Sequence, residues 1–292
     1  VTNLLHNTLA YEEIDGVPII RLPFYSIVNK RDLRSIKNLQ SEMRNMVDTF
    51  QPDIIHLHSP RSVAFFFLRV AKKFYGASIY TAQDGTLPTT SGESSLLNQL
   101  LEKVDRVTVP SLFTESYYKN TFPKHSPKIS CIFNSLPAAL VEPTALNPTQ
   151  PHVLAYGRLV KEKGFDVFLE AISLLHSTHN NWKFTIAGDG IEREALVSQA
   201  KDLGIRDVVD FPGWVPPDQV HKLINNCLLV VVPSRWQEPF GLTALQAMQY
   251  GRPVVATRVG GLPEVIEQSK TGLIVSPQNA ESLADAIERL LT

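Results

Sequence analysis

The sequence has little of the residues and patterns that would assign a protein to a class on their own. It contains two cysteines in 292 residues, and Cys131 and Cys227 lie far apart in apolar surroundings. This pattern predicts two buried thiols in a reducing compartment rather than a disulfide, and no spacing typical of a zinc site accompanies them. The formal net charge is -1, which argues against a general nucleic-acid binder because such proteins need a basic face.

Long hydrophobic runs are also missing. The most apolar stretches, such as LLVVVP at residues 228–233, are far shorter than the roughly 20 residues that span a bilayer. We therefore expect a soluble, cytoplasmic protein. Residues 29–50 are rich in charge and could form an amphipathic helix in peripheral contact with a membrane, although the acids in this segment favour a solvated helix face.

What the sequence does contain is a regular alternation of short apolar runs and helical patterns. This alternation is typical of βαβ units, in which helices cover both faces of a parallel sheet. The length suits two domains of about 150 residues each, and the proline-bearing residues 136–151 show neither period. We predict an α/β protein with a Rossmann-like domain at residues 1–145 and a second one at residues 146–292. Ligands of such sheets lie at the carboxyl ends of the strands.

The apolar runs predict strands in both halves of the chain. In the first half they are VPIIRL, DIIHLH, ASIYTA, RVTVP and KISCIF, and in the second half HVLAYG, WKFTIAG, DVVDFPG, LLVVVP, RPVVAT and TGLIVSP. Stretches with a helical period follow the strands of the second half, as in GFDVFLEAISLLHS and ESLADAIERLL.

One candidate site lies in YGRLVKEKGFDVF, residues 156–168. Arg158 and Lys163 occupy the loop between a predicted strand and a helix that opens at Gly164. Two cations beside a helix N-terminus form an anion site, because the free N–H groups of the first turn add to their charge. The alternative is a solvated charged loop.

The sequence motifs that would bind a dinucleotide or a metal ion are incomplete. Gly188-x-Gly190-x-x-Arg193 follows a predicted strand but lacks the third glycine of the dinucleotide fingerprint, so a turn before a helix is the better interpretation. The chain has no Asp-x-Asp, and the nearest approach, Glu13-x-Asp15, lies in a predicted turn.

A second candidate site lies in PSRWQEPFGLTALQAMQY, residues 233–250. Phe240, Gly241 and Leu242 can begin a helix, so their backbone N–H groups would lie at the same edge of the sheet as the first candidate site. Glu238 precedes this helix; a carboxylate is a poor neighbour for phosphate but a good acceptor for sugar hydroxyls. Two structural alternatives remain for Glu238: it caps the helix, or it pairs with Arg235.

Several motifs of the second half, in this order and spacing, resemble one known family. They are GRLVKEKG, FTIAGDG, DFPGWVP, PSRWQEPFGLTALQAM, GRPVVATRVGGLPEVI and TGLIVSP. They resemble the donor-binding domain of glycosyltransferase family 4 (glycosyl transferases group 1), while PDIIHLHSP, IYTAQDG, DRVTVPS and IFNSLP resemble its acceptor domain less specifically. The resemblance implies a GT-B fold, two Rossmann-like domains facing across a cleft, and transfer of a sugar from a nucleoside diphosphate sugar with retention of anomeric configuration.

The resemblance also implies roles for individual residues. Arg158 and Lys163 match the pair that grips the diphosphate, and Glu238 matches the first acid of an E-x7-E motif that binds donor sugar hydroxyls. The remaining donor-side matches are Gly157 in the first loop, Val215 at the nucleobase, and Phe240, Gly241 and Leu242 in the turn next to sugar and phosphate. No metal is expected to be required, because cations and helix ends can stabilise a departing diphosphate.

The chain departs from the family pattern in four places. Gln246 replaces the second acid of E-x7-E, which in the family accepts from the ribose hydroxyls. Gln83-Asp84 stands where the family usually has His-Asp near the reacting sugar. At the start of the chain, the family's first strand, glycine-rich loop and next helix are expected to be absent, which would make the N-terminal domain incomplete. At its end, the closing helix is expected to be absent.

Acceptor-side candidates are His58, Gln83 and Asp84. His56 and His58 lie on one face of a predicted strand, where hydrogen bonding is favoured over metal binding because no third ligand is apparent. Two functions remain open: a retaining hexosyltransferase acting on a glycan, lipid or small-molecule acceptor, or a relative that binds sugar nucleotides without turnover, as Gln83 and Gln246 would permit. A GT-B epimerase is a third alternative whose acid and base residues are not apparent.

Overall fold

The computed structural model describes residues 2–3, 9–58, 62–70, 74–83, 95–140, 142–146 and 151–292. Its contacts divide the chain into two compact units. The first comprises residues 1–109 and 115–131, and the second comprises residues 110–114 and 132–292. No helix of the described part is long and apolar enough to cross a membrane.

The first unit alternates strands and helices. Its elements are β1 (Thr2–Asn3), β2 (Tyr11–Ile14), β3 (Val17–Leu22), α1 (Phe24–Lys30), α2 (Leu33–Phe50), β4 (Ile54–His58), α3 (Ser62–Val70), β5 (Ala77–Thr81), α4 (Leu96–Lys103), β6 (Arg106–Val109), α5 (Leu112–Thr121, from Glu115 onward) and β7 (Ile129–Cys131). A 3-10 helix at Pro123–Lys128 precedes β7. All five strands predicted in this half are present, each within one or two residues of its predicted bounds.

Strands β4 to β7 form a parallel sheet in the order β4-β5-β6-β7 among the described residues. Its buried face carries Leu57, Tyr80 and Val107, which pack with apolar residues of α3 and α4. Strand β3 pairs with β1 and with β2 in a separate sheet. The β2–β3 hairpin turns at Asp15 and Gly16, both with positive φ (52° and 77°). Asp15 therefore lies in a turn, as predicted, whereas Glu13, predicted to lie in the same turn, belongs to β2.

The charged segment of the first unit forms α1 and α2, separated by a short break. The Asp32 side chain accepts hydrogen bonds from the backbone N–H groups of Arg34 and Ser35 and so caps α2. The Ser35 hydroxyl also donates to Asp32, and this bond, followed by the backbone bonds, lowers the pKa of Asp32 below its usual value. Leu39 is the buried residue of α2, and most of the other side chains are partly or fully exposed.

The second unit has the same alternation. Its elements are β8 (His152–Tyr156), α6 (Phe165–His176), β9 (Lys183–Ala187), α7 (Arg193–Asp202), β10 (Val209–Gly213), α8 (Pro217–Asn226), β11 (Leu229–Val232), α9 (Leu242–Gln249), β12 (Val254–Thr257), α10 (Leu262–Val265), β13 (Gly272–Val275) and α11 (Ala280–Leu291). A 3-10 turn at Lys161–Lys163 precedes α6. The six strands predicted in this half are confirmed.

These six strands form one parallel sheet in the order β10-β9-β8-β11-β12-β13. Strands β11 and β12 are buried along their whole length, as expected for valine-rich strands covered by helices on both faces. The chain moves outward from β8 to β10, then returns to the other side of β8 as β11. The loops after β8 and β11 therefore leave the sheet in opposite directions, which makes this the topological switch point where ligands of such sheets bind.

The predicted boundary segment is attached to the second unit. The Leu140 N–H donates to the Tyr250 hydroxyl over 3.1 Å, and the Thr144 N–H donates to the Asn225 side chain over 2.9 Å. The buried Arg252 guanidinium donates to the backbone oxygen of Thr144 over 2.9 Å. These contacts satisfy polar backbone that has neither helix nor strand partners.

Neither Cys131 nor Cys227 forms a disulfide. Cys227 is buried, as predicted, and burial raises the pKa of its thiol to about 12. Cys131 is only half-buried, because it ends β7, the edge strand of the described four-stranded sheet.

Candidate functional site

Three loops lie side by side at the carboxyl ends of neighbouring strands. The Gly157 N–H after β8 donates to the Ala187 oxygen, and the Gly188 N–H after β9 donates to the Gly213 oxygen. A Cβ on Gly188 (φ 140°) would lie 1.9 Å from the Gly157 oxygen, so only glycine allows this approach. Two of the predicted sequence features, Gly157 and the Gly188 turn, are thus brought together.

Lys163 and Glu238 form an ion pair at the switch point. Lys163 Nζ lies 2.6 Å from Glu238 Oε1, and the two side chains are 20% and 9% exposed. The same Oε1 accepts a hydrogen bond of 2.6 Å from the Ser234 hydroxyl. Glu238 Oε2 accepts no hydrogen bond from any residue that the structure describes, so this oxygen can accept one from a ligand.

The loop after β12 holds the backbone of Glu238 in place. The Gly261 N–H donates to the Glu238 oxygen over 2.8 Å, and the Gly260 N–H donates to Gln237 Oε1 over 2.7 Å. Gly260 has φ 54°, and a Cβ there would lie 2.0 Å from the Glu238 oxygen. The carboxylate is therefore positioned by loops from three strands, β8, β11 and β12.

Both structural alternatives for Glu238 are wrong. Helix α9 begins after Gly241, and no side chain among the described residues caps it; the Glu238 carboxylate bonds Lys163 and Ser234 instead. Arg235 pairs instead with Asp166, whose two carboxylate oxygens lie 2.8 and 2.7 Å from Nη2.

The predicted helix start after Glu238 is confirmed. Gly241 is the N-cap of α9, with φ 117°, and a Cβ there would lie 2.6 Å from Leu262 Cδ2. Phe240 is buried, with its ring centroid 6.2 Å from that of Phe133, whereas Leu242 is 45% exposed. The first-turn N–H groups of α9 have no acceptor within the helix and can bind an anion.

Arg158 and Lys163 share a loop, but their side chains differ in exposure and in hydrogen bonding. Its side chain is exposed and makes no hydrogen bond or ion pair with any residue in the described ranges. The structure therefore does not join Arg158 to the Lys163–Glu238 pair. An unpaired guanidinium keeps all its N–H donors for a ligand.

Gln246 lies on α9, where its side chain meets Tyr156, the last residue of β8. The Tyr156 hydroxyl lies 2.9 Å from Gln246 Oε1 and 3.2 Å from the Thr243 oxygen. Burial raises the pKa of Tyr156 far above its usual value, so the hydroxyl keeps its hydrogen. Gln246 itself is half-buried.

Val215 lies two residues beyond Gly213, which ends β10 and lines a surface cleft. Its side chain is half-buried against the apolar core on one side of the sheet, while the neighbouring Trp214 is 69% exposed. The cleft has a volume of about 490 Å³ and is lined by Asp189, Gly190, Ile191, Arg193, Glu194 and Gly213. It opens at the carboxyl ends of β9 and β10.

The acceptor-side candidates lie in the first unit. His58 ends β4, and its ring centroid is 4.2 Å from that of His56. His56 Nε2 lies 2.6 Å from Thr81 Oγ1, so His56 is hydrogen-bonded, as predicted. Gln83 follows β5 and is exposed, and Asp84 lies outside the described residues. No group of three metal-binding side chains occurs among the residues described.

Two residues at this edge were not predicted from the sequence. Ser234 is fully buried and bonds Glu238, while Tyr156 bonds Gln246. Both stand at the carboxyl end of a predicted strand, which is the signal that could have identified them.

Comparisons with known proteins identify the chain's relatives. Residues 139–292 match the family described as Glycosyl transferases group 1, and residues 5–139 match Glycosyltransferase Family 4. The chain is 40% identical over 140 residues to an uncharacterized glycosyltransferase from Methanocaldococcus jannaschii. The aligned region covers 48% of this chain and 35% of that protein. It spans about a third of the length of the first curated relatives it matches.

Solved structures show the same fold. Sucrose-phosphate synthase from Thermosynechococcus elongatus superposes with a TM-score of 0.82 at 24% identity, covering 98% of this chain and 77% of that one. HepE from Anabaena, solved in complex with UDP and glucose, gives 0.73 at 19% identity and covers 91% and 73%. These likenesses place the chain in the GT-B fold class.

Proposed function

Because this chain belongs to the glycosyl transferases group 1 family, we propose that it transfers a sugar from a nucleoside diphosphate sugar to an acceptor, with retention of anomeric configuration. One observation carries the proposal: the Lys163–Glu238 pair at the switch point of the second sheet. It combines a cation with spare N–H donors and a carboxylate with a spare oxygen, a few residues before a helix N-terminus. The complex of HepE with UDP and glucose supports a donor of this class.

The diphosphate is bound by Arg158, Lys163 and the first-turn N–H groups of α9. A lysine ammonium has three N–H donors, and the bond to Glu238 uses one of them. Negative charge is favoured at a helix N-terminus by the helix dipole. Arg158 adds a second full positive charge from an exposed position, where its side chain has no partner among the described residues.

The donor sugar and the nucleoside occupy opposite sides of the diphosphate. Glu238 Oε2 accepts from a sugar hydroxyl, while Oε1 stays with Lys163 and Ser234. Gln246 contacts the ribose, and the backbone at Val215 contacts the nucleobase beside the cleft at Gly213. This arrangement uses the described carboxyl ends of β8, β10 and β11.

In the transfer step, the bond between the anomeric carbon and the diphosphate oxygen breaks, and its electron pair stays on the diphosphate. A new bond forms from the anomeric carbon to the acceptor oxygen on the same face of the sugar. The acceptor proton leaves to the diphosphate or to water. Arg158, Lys163 and the helix N–H groups stabilise the charge that develops on the leaving group.

Two further parts of the proposal concern the acceptor and metal ions. His58, Gln83 and Asp84 belong to the acceptor side, where a glycan, a lipid or a small molecule is bound. The two cations and α9 supply the charge stabilisation that a metal ion gives elsewhere, so we expect transfer to continue in the presence of EDTA.

A thermal-shift panel of UDP, GDP, ADP and their sugar conjugates tests the proposal. At least one sugar nucleotide should raise the melting temperature, and the same compound should be turned over in an acceptor screen, with the product configuration measured by NMR. If no nucleotide stabilises the chain, the proposal fails. Stabilisation without turnover would favour the second candidate, a sugar-nucleotide binder without activity, which Gln246 at the position of the family's second acid supports.

A further inference from the structure

Tyr156 and Gln246 form a polar contact between β8 and α9. The phenolic oxygen is 2.9 Å from Gln246 Oε1 and 3.2 Å from the Thr243 oxygen. A phenol has one hydrogen to donate, and the amide oxygen is the nearer of these two acceptors. Gln246 Nε2 donates to none of the residues that the structure describes.

From this contact we infer that the Tyr156 hydroxyl fixes the polarity of the Gln246 amide, so that Gln246 binds a ribose hydroxyl by donating a hydrogen bond to it. The inference rests on the proposed function, which places the ribose at Gln246. The two heavy atoms of an amide diverge from one carbon. When the oxygen accepts from Tyr156, the –NH2 group is therefore the part left for a ligand.

An acid at position 246 would reverse the direction of the hydrogen bond between this side chain and the ribose. One carboxylate oxygen would accept from Tyr156, and the other would accept from the ribose hydroxyl, because a carboxylate has no hydrogen to donate. The exchange of Glu for Gln therefore changes which ribose analogues can bind, in addition to the strength of binding. Tyr156 acts here as a positioning residue through Gln246.

The opposite arrangement has a different outcome. If the Tyr156 hydroxyl donated to the Thr243 oxygen, the phenolic oxygen could accept from Gln246 Nε2, and the amide oxygen would be left for the ribose. The wild-type chain would then require a ribose hydroxyl that donates. A nucleotide that can only accept separates the two arrangements.

Fluorinated nucleotides are such probes, because carbon-bound fluorine accepts a hydrogen bond weakly and cannot donate one. For whichever of UDP, GDP and ADP binds, dissociation constants are measured by calorimetry for the parent and for its 2′-fluoro and 3′-fluoro analogues. We expect at most a threefold loss on fluorination in the wild-type chain, and a loss of tenfold or more at one position in Gln246→Glu, whose carboxylate would face the fluorine.

Tyr156→Phe links this difference to the hydroxyl while keeping the ring. Without the Tyr156 hydroxyl, the Gln246 amide can present either its oxygen or its –NH2 group to the ribose. A ribose hydroxyl can bind either group, whereas fluorine can bind only the –NH2 group. The loss of affinity on fluorination should therefore rise above the wild-type value. A wild-type loss of tenfold or more that falls in Tyr156→Phe would overturn the inference. Should Tyr156→Phe not fold, the comparison of wild type with Gln246→Glu still decides. Absence of binding by every parent nucleotide would overturn the proposed function as well.

Discussion

Each unit contains an ion pair with little solvent exposure, and the two pairs differ in what else they bond. In the first unit, Arg21 of β3 pairs with Glu12 of β2, with side chains 15% and 29% exposed. In the second unit, Lys163 and Glu238 are 20% and 9% exposed. Burial alone therefore does not separate a structural pair from a candidate site.

The surroundings do separate them. Arg21 also donates to the Leu9 oxygen over 3.0 Å, and its partner Glu12 is on the neighbouring strand of one hairpin. Lys163 and Glu238 are 75 residues apart in sequence. Lys163 Nζ donates to no other described residue, and Glu238 Oε2 accepts from none. Unused bonding capacity at the carboxyl ends of parallel strands is what indicates a ligand site.

Removing Lys163 should have the largest effect, because it acts on both folding and binding. Lys163→Ala leaves a mostly buried carboxylate without its counter-charge, so we expect the free energy of unfolding to fall by about 2 to 4 kcal/mol. Nucleoside diphosphate affinity should fall as well. Arg21→Ala should destabilise the chain but leave nucleotide affinity unchanged. Urea unfolding and calorimetry measure the two effects.

Lys161→Ala is the matched control for Lys163→Ala. Lys161 lies on the same 3-10 turn and is exposed, so neither quantity should change. If Lys163→Ala behaved like Arg21→Ala, with unchanged nucleotide affinity, the two ion pairs would be equivalent and the distinction between them would be lost.

Arg158→Ala should separate binding from stability. Since the guanidinium has no partner among the described residues, its loss should leave unfolding unchanged, whereas nucleoside diphosphate binding should weaken by about 1.5 to 3 kcal/mol. Arg289→Ala, an exposed arginine on α11, controls for the loss of one positive charge. Equal affinities of wild type and Arg158→Ala, measured by calorimetry, would remove Arg158 from the site.

Gln246→Glu should tighten nucleotide binding by about 1 to 2 kcal/mol, because charge-assisted hydrogen bonds to the ribose are stronger than neutral ones. The measurement is calorimetry with the same nucleoside diphosphate. Weaker binding by Gln246→Glu would show that the ribose does not lie at this residue.

The smallest effect is expected on the pH dependence of stability, from two similar His–Thr contacts, one in each unit. His152 Nε2 lies 2.8 Å from Thr185 Oγ1, and His56 makes the corresponding contact with Thr81. Burial lowers the pKa of His152 below its ordinary value of 6.5, and burial followed by the charge of His58 lowers that of His56. Below about pH 6.5 the unfolded chain takes up protons more readily than the folded one.

Stability should therefore be greatest above about pH 6.5 and decline as the pH falls through the window below it. His152→Gln should flatten this decline in urea unfolding between about pH 5 and 8, and His56→Gln should flatten it less because His56 is exposed. If the decline in stability were unchanged in His152→Gln, titrating groups other than His152 would be responsible for it.

The strands were predictable because valine- and isoleucine-rich runs bounded by loops have few other ways to be buried. Strands β1 and β2 were not predicted: β1 is only two residues long, and Tyr11–Ile14 contains two acids and forms a strand by pairing with β3. Arg158, Lys163 and Glu238 were predicted from their place between strand and helix. The contact of Tyr156 with Gln246 joins residues 90 positions apart, so it depends on tertiary packing that no local pattern reveals.

Glu238→Gln tests the proposed division of contacts, in which Glu238 binds the donor sugar and Lys163 binds the diphosphate. Calorimetry with the bare nucleoside diphosphate is paired with turnover of the matching sugar nucleotide. We expect affinity for the bare nucleotide that is not weaker than wild type, because Lys163 is released from its counter-charge. Turnover should fall by about tenfold or more, equivalent to about 1.4 kcal/mol in the barrier. Equal losses in both measurements, or unchanged turnover, would contradict this division of contacts.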